Sequence, residues 1–203
     1  MVRAHRRANA DVTGDVAAMI FLRNIPNVLS ALRLLLAPLT AFLVMSSQFG
    51  SALFVFAFAG LSDALDGYLA KRFGLESRFG AWLDPAADKL LMLLCFLSLT
   101  AMGVVPQWLT VIVIARDAAI VVGVAIALFF RLPVQVEPLP IGKISTIIQV
   151  SYIALMLLFL TLQVNAPSSV EALSVLTAAA TGVSWLMYGN QLLRALVPGS
   201  KIA

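Results

Sequence analysis

Histidine and cysteine each occur only once in the chain, as His5 and Cys95. A lone cysteine rules out an internal disulfide framework, and in an apolar run it reads as a small buried hydrophobe. With the one histidine in the N-terminal tail, no imidazole is available as a general base. There is also no Glu-x-x-His element, which argues against a di-iron bundle. Charge is scarce too: Asp, Glu, Lys and Arg make up 12% of 203 residues, against 61% hydrophobic, with a mean hydropathy of +0.98. A soluble domain of this length could not solvate such a composition, so the chain reads as an integral membrane protein. No polar stretch is long enough for a separate soluble domain, and no internal repeat is visible.

Apolar runs are present near 28–47, 48–70, 81–103, 107–130, 141–163 and 170–193. Each approaches the roughly 20 residues needed to cross about 30 Å of hydrocarbon. The expected fold is all-α: six transmembrane helices in one polytopic bundle over 24–197. Residues 1–23 are expected to form a cytoplasmic tail and interfacial segment, without the length and apolar core of a cleavable signal peptide. Residues 198–203 are expected to form a short C-terminal tail. The net charge of +4 does not call for nucleic acid, because the basic residues alternate with the apolar runs. Arg3, Arg6, Arg7 and Arg23 precede the first run, and Lys71, Arg72 and Arg78 separate the second from the third. Arg131 and Lys143 flank the 131–140 connection, and Arg194 and Lys201 follow the sixth run. The connections near 46–50, 103–107 and 163–170 carry no Lys or Arg. The positive-inside rule then puts both termini in the cytoplasm, and a bacterial inner membrane is the expected location.

Against this background the stretch DALDGYLAKRFGLESRFGAWLDPAAD, residues 63–88, stands out. Asp63 and Asp66 are three residues apart and Asp84 and Asp88 four, so each pair projects from one face if its flank is helical. Gly67, Gly74 and Gly80, with Lys71, Arg72, Glu76 and Arg78, suit a water-facing turn between antiparallel helices. The four carboxylates then form a cluster in a cytoplasm-facing cleft. Such a cluster beside a bilayer needs cations to offset repulsion and desolvation. All-oxygen ligands select hard divalent ions, Mg²⁺ or Mn²⁺, whose common task is to manage phosphate oxygens. One aspartate can then take the proton of an attacking hydroxyl. Arg33, Lys71, Arg116 and Lys143 would supply anion-binding partners around the cleft. For Arg33 the alternative is snorkelling to the headgroups, and for the Arg116 and Asp117 neighbours it is a structural ion pair. Ser184, Trp185 and Tyr188 read mainly as an interfacial aromatic belt. The small residues of 177–182 favour close helix packing, including packing between subunits.

Asp63, Asp66, Gly67, Ala70, Gly80, Asp84 and Asp88 resemble the signature of the CDP-alcohol phosphatidyltransferase family, D-x2-D-G-x2-A-R followed after eight or nine residues by G-x3-D-x3-D. Lys71 stands where that pattern has Arg, keeping the charge but not the bidentate fork. NIPNVLSALR at 24–33 and the later ARD and GKIST segments are also similar to family blocks. The resemblance implies transfer of a phosphatidyl group from CDP-diacylglycerol to an alcohol, with release of CMP. It implies that Asp63, Asp66, Asp84 and Asp88 hold two divalent metals, with Asp88 as the catalytic base. It further implies a CDP-diacylglycerol site of Asn27, Ser30, Gly67, Lys71, Ser77 and Gly80, and a homodimer. Arg33, Arg116 and Lys143 remain as acceptor-binding candidates. IARDAAIVVG resembles the CMP-forming cardiolipin synthase branch, with phosphatidylglycerol as acceptor. The glycine of GKIST resembles the phosphatidylglycerophosphate synthase branch, with glycerol 3-phosphate as acceptor. An ion-coupled transporter is the alternative from another class; it predicts midplane acidic residues and repeated halves.

Overall fold

The structure is a computed structural model that describes residues 28–73, 80–129 and 140–196; within these, the side chains of 64–73, 80–83, 124, 126–128 and 191–196 lie outside the description. The expected tails at 1–23 and 198–203 and the proline-rich 131–139 connection lie outside it as well. The described residues form six α-helices and no strand. They are α1, described from Val28 to Met45, α2 (Phe49–Phe73), α3 (Gly80–Ala101), α4 (Gln107–Phe129), α5 (Pro140–Thr161) and α6 (Pro167–Leu196). Each falls on one of the six apolar runs. The largest difference is at α2, whose helix continues through Lys71 and Arg72 to Phe73 because Leu69, Ala70, Lys71 and Arg72 are all good helix formers. Pro140 and Pro167 open α5 and α6, where a missing N–H costs no hydrogen bond.

Three helices, α1, α5 and α6, are long and apolar enough by themselves to cross a membrane. The described apolar part of α2 is the shorter Phe49–Asp63, and α3 carries Asp84, Asp88 and Lys89 near its start. Large apolar side chains such as Leu35, Phe54, Leu61, Phe129 and Leu186 are exposed around the bundle. In a membrane protein that surface faces lipid rather than water.

Helix α5 packs against α2 and α6, α4 against α6, and α3 against α4 and α5. The buried face of α5 recurs at helical spacing, through Gly142, Ser145, Gln149, Tyr152, Ile153 and Met156. In the core the Tyr152 ring stacks on Phe96 of α3, with centroids 6.1 Å apart. Cys95 is fully buried there, as its apolar context predicts. The α5–α6 seam is also pinned by polar contacts: Gln149 Nε2 donates to Thr181 Oγ1 at 2.9 Å, and the Tyr152 and Ser174 hydroxyls are 2.8 Å apart. Such bonds between membrane helices are worth about 1 kcal/mol each and fix register more than they add stability. Thr177 and Thr181 of the small-residue stretch are therefore buried within this chain.

One end of the bundle is closed by three turns of the same kind. After α1, Gln48 N–H donates to Leu43 O and Ser47 N–H to Val44 O, with Ser47 at φ 58°. After α3, Val104 bonds to Leu99 and Gly103 to Thr100, with Gly103 at φ 72°. After α5, Val164 bonds to Phe159 and Gln163 to Leu160, with Gln163 at φ 54°. Each is a Schellman cap, in which a left-handed residue lets two following N–H groups satisfy carbonyls the helix leaves orphaned. These are the connections without Lys or Arg.

Candidate active site

The opposite end gathers the charges. Ser30 and Arg33 lie in the first turns of α1, Asp63 in the later part of α2, and Asp84 and Asp88 in the first turns of α3. Pro85 is tolerated there because the N–H it lacks would have no partner in a first turn. Arg33 joins the three helices: its Nη1 is 2.7 Å from Asp63 Oδ1 and 2.7 Å from Asp88 Oδ1. The two carboxylate oxygens therefore lie within twice that distance of each other, on one positive centre. The Ser30 hydroxyl donates to Asp84 Oδ1. The Arg33 side chain is 1% exposed whereas those of Asp63 and Asp88 are 42% and 47% exposed. The guanidinium thus forms a buried floor and the carboxylates open outward. Snorkelling is overturned for Arg33, because two carboxylates offer its charge a nearer counter-ion than the headgroups do.

A second charged group adjoins the first, where Lys89 follows Asp88. Lys89 Nζ is 2.6 Å from Asp117 Oδ1 on α4, and Arg116 Nη1 is 2.7 Å from the same oxygen. Arg116 is also buried: Nη2 donates to Ser184 Oγ at 2.9 Å, and the guanidinium carbon lies 5.9 Å from the Tyr188 ring centroid. The Tyr188 hydroxyl rests on α5, so closely that a Cβ at Gly142 would meet it at 2.6 Å. Ser184 and Tyr188 are therefore not interfacial belt residues. Ser184 is buried and Tyr188 half-buried against this cation, whereas Trp185 is exposed. Arg116 Nε and Ser145 Oγ are buried in the same region without a hydrogen-bond partner. Lys143, in the first turn of α5, is exposed.

The charges of the two groups are mirror images. Among the described residues, one cation at Arg33 serves two anions, and one anion at Asp117 serves two cations. With Asp84 beside it, the first group has excess negative charge, and the second has excess positive charge. Among the described residues no three carboxylate, imidazole or thiolate groups are close enough to hold a metal ion by themselves. Asp63 and Asp88 nevertheless converge on one cationic nitrogen, and both are oxygen donors open to solvent, so the residues present fit a hard cation. Asn27, Ser77 and the side chains of Asp66, Gly67, Lys71 and Gly80 lie outside the described residues; the helices place Asp66, Gly67 and Lys71 on α2 and Gly80 at the start of α3. Ser145, Ser184 and Tyr188 were not singled out from sequence as site residues. Their signal is a polar residue on each of two apolar helices at the depth of a buried arginine.

Comparison with known proteins identifies the family. The family model for CDP-alcohol phosphatidyltransferase matches residues 23–187. A rat protein named cardiolipin synthase (CMP-forming) is 35% identical over 146 residues, covering 64% of this chain and 48% of its own. A Streptomyces coelicolor protein of the same name is 44% identical over 108 residues, covering 50% of each chain. A Mycobacterium tuberculosis protein named probable phosphatidylglycerophosphate synthase is 32% identical over 183 residues, covering 86% of this chain and 85% of its own. The chain spans about half the length of the cardiolipin synthases it matches and most of the mycobacterial protein. A match through five helices and part of the sixth, on a bundle whose carboxylates gather at one end, makes this chain a member of the CDP-alcohol phosphatidyltransferase family.

Proposed function

We propose that the protein transfers a phosphatidyl group from CDP-diacylglycerol to the hydroxyl of phosphatidylglycerol, forming cardiolipin and CMP. The observation that carries this reading is the convergence of Asp63 and Asp88, both half-exposed, on one cationic nitrogen. Asp63, Asp66, Asp84 and Asp88 would hold two Mg²⁺ or Mn²⁺ ions. When bound, these ions neutralise the donor's diphosphate oxygens and stabilise charge on the transferring phosphoryl group. Asp88 takes the proton from the acceptor hydroxyl, whose oxygen forms the new P–O bond as the bond to the CMP oxygen breaks. Ser30, held against Asp84, lies where the donor would sit, with Asn27, Gly67, Lys71, Ser77 and Gly80 around the cytidine diphosphate. Arg33 anchors the carboxylates from below and offers charge to the acceptor's phosphate. Arg116, with unused hydrogen-bonding capacity at Nε, and Lys143 at the rim extend that cationic side. The site faces the cytoplasm, with both termini on that side, and the enzyme works as a homodimer. Family membership favours a transferase over a transporter.

Two of the three relatives described above carry the cardiolipin synthase name. The second reading, transfer to glycerol 3-phosphate, is favoured by the mycobacterial relative, which aligns with more of the chain than the other two. Gly142, the glycine of GKIST, also has a packing reason, since a Cβ there would meet the Tyr188 hydroxyl at 2.6 Å. The test is product formation by purified protein from CDP-diacylglycerol and Mg²⁺ or Mn²⁺, with each acceptor offered separately. Cardiolipin made only with phosphatidylglycerol is expected. Phosphatidylglycerophosphate made with glycerol 3-phosphate would establish the second reading instead.

A further inference from the structure

Lys89 is the described cation nearest in sequence to the carboxylate cluster. It follows Asp88 directly, five residues after Asp84 on the same helix, and a lysine stem is long enough to fold back toward either. The Lys89 ammonium nonetheless lies on Asp117 of the neighbouring helix, at 2.6 Å. Beyond that contact the wall between α3 and α4 is apolar: Lys89 and Asp117 edge a cavity of about 330 Å³ otherwise lined by residues such as Leu93, Phe96, Val113 and Val121. Lys89 therefore stands between two sets of counter-charges, Asp117, which it contacts, and the cluster that begins one residue back on its own helix. Arg116 is not balanced in this way, since Ser184 and the Tyr188 ring hold it independently of Asp117.

We infer that Asp117 is a positioning residue for the metal site: by holding the Lys89 ammonium on the α4 side, it keeps that charge off Asp84 and Asp88. The inference rests on the proposed role of the four aspartates as metal ligands. A divalent ion and an ammonium compete for the same oxygens. Neutralising Asp117 leaves Lys89 beside Arg116, a like charge, so the open carboxylates on its own helix become its best partners. The chain thus carries beside its cation site a built-in competitor, held aside by one side chain.

The test is direct binding of Mn²⁺ to purified protein, read from the loss of the free-ion electron paramagnetic resonance signal and so independent of turnover. Wild-type protein is expected to bind Mn²⁺, and Asp63→Asn to weaken binding severely. Asp117→Asn is expected to lower affinity about tenfold, the scale on which one charge within 4–6 Å shifts a carboxylate's affinity for a proton. Lys89→Met alone, and Lys89→Met with Asp117→Asn, are expected to bind within about twofold of wild type. If Asp117→Asn fails to fold, Asp117→Ser, smaller but still polar, takes its place in both comparisons. Unchanged affinity in the Asp117 variant overturns the inference, as does a loss that Lys89→Met does not restore, since a merely structural Asp117 would produce that loss. Absence of Mn²⁺ binding by wild-type protein overturns the metal assignment itself and the inference with it.

Discussion

The two ends of the bundle solve the same problem in different ways. Where α1, α3 and α5 finish, the chain turns within a few residues and orphaned carbonyls are satisfied by backbone N–H groups through Schellman caps. Side chains contribute little beyond Thr100 and Thr110, whose hydroxyls are 2.5 Å apart. At the opposite end Arg33 and Arg116 are buried at 1% and 3% exposure; the carboxylates on Arg33 remain open, whereas Asp117 on Arg116 is half-buried. The first end is built for closure, with its helix-end carbonyls satisfied by the backbone itself. The second end gathers charge that the fold alone does not need, with negative excess over α1–α3 and positive excess over α3, α4 and α6. Buried charge in a membrane protein is costly, which marks this end rather than the closed one as the candidate functional site.

That contrast can be broken by substitutions that separate activity from stability. The largest effect is expected from Asp88→Asn, which should lower CMP release by about 10²–10⁴-fold, the usual contribution of a positioned general base. Its unfolding temperature should not fall, because like-charge repulsion with Asp63 and Asp84 is relieved. CMP quantification and thermal unfolding of the same sample check both. Arg116→Lys keeps the charge but loses the fork that reaches Ser184 and Asp117 together. A charge-assisted hydrogen bond is worth about 1.5–3 kcal/mol, so KM for the acceptor should rise on the order of tenfold to a hundredfold while KM for CDP-diacylglycerol stays within about twofold. Steady-state kinetics with each substrate varied in turn would show it, and equal effects on both would remove Arg116 from the acceptor side. Gly142→Ala forces Tyr188 from its seat and should cost about 1–3 kcal/mol by overpacking, measured by unfolding in detergent. The smallest effect is at the closed end: Gly103→Ala, at φ 72°, should cost about 1 kcal/mol and leave CMP release per folded molecule unchanged.

Much of the bundle was legible in the sequence because apolar length is a one-dimensional property. The six runs and six helices coincide, and the 63–88 signature places its aspartates on α2 and α3 as its spacing requires. Arg33 was legible as a cation near a membrane surface. Its insertion between Asp63 and Asp88 was not, because that depends on how α1 packs against two helices far along the chain. Ser184 and Tyr188 were misread as a headgroup belt for a similar reason. Distance from a helix end gives depth in the membrane, but which face meets α4 follows only from the packing angle. Gly142 shows the same limit, since its packing against Tyr188 is invisible until the neighbour across the seam is known. Ser47 and Gln163 took left-handed caps with no glycine to announce them.

The most direct test of the account is CMP release from CDP-diacylglycerol by purified protein supplied with phosphatidylglycerol, before and after chelation of divalent cations. The prediction is that chelation stops CMP release, that Mg²⁺ or Mn²⁺ restores it, and that each CMP is matched by one cardiolipin. CMP release that continues in chelator, or that yields no lipid product, would contradict the assignment of the carboxylate end as a cation-dependent transfer site.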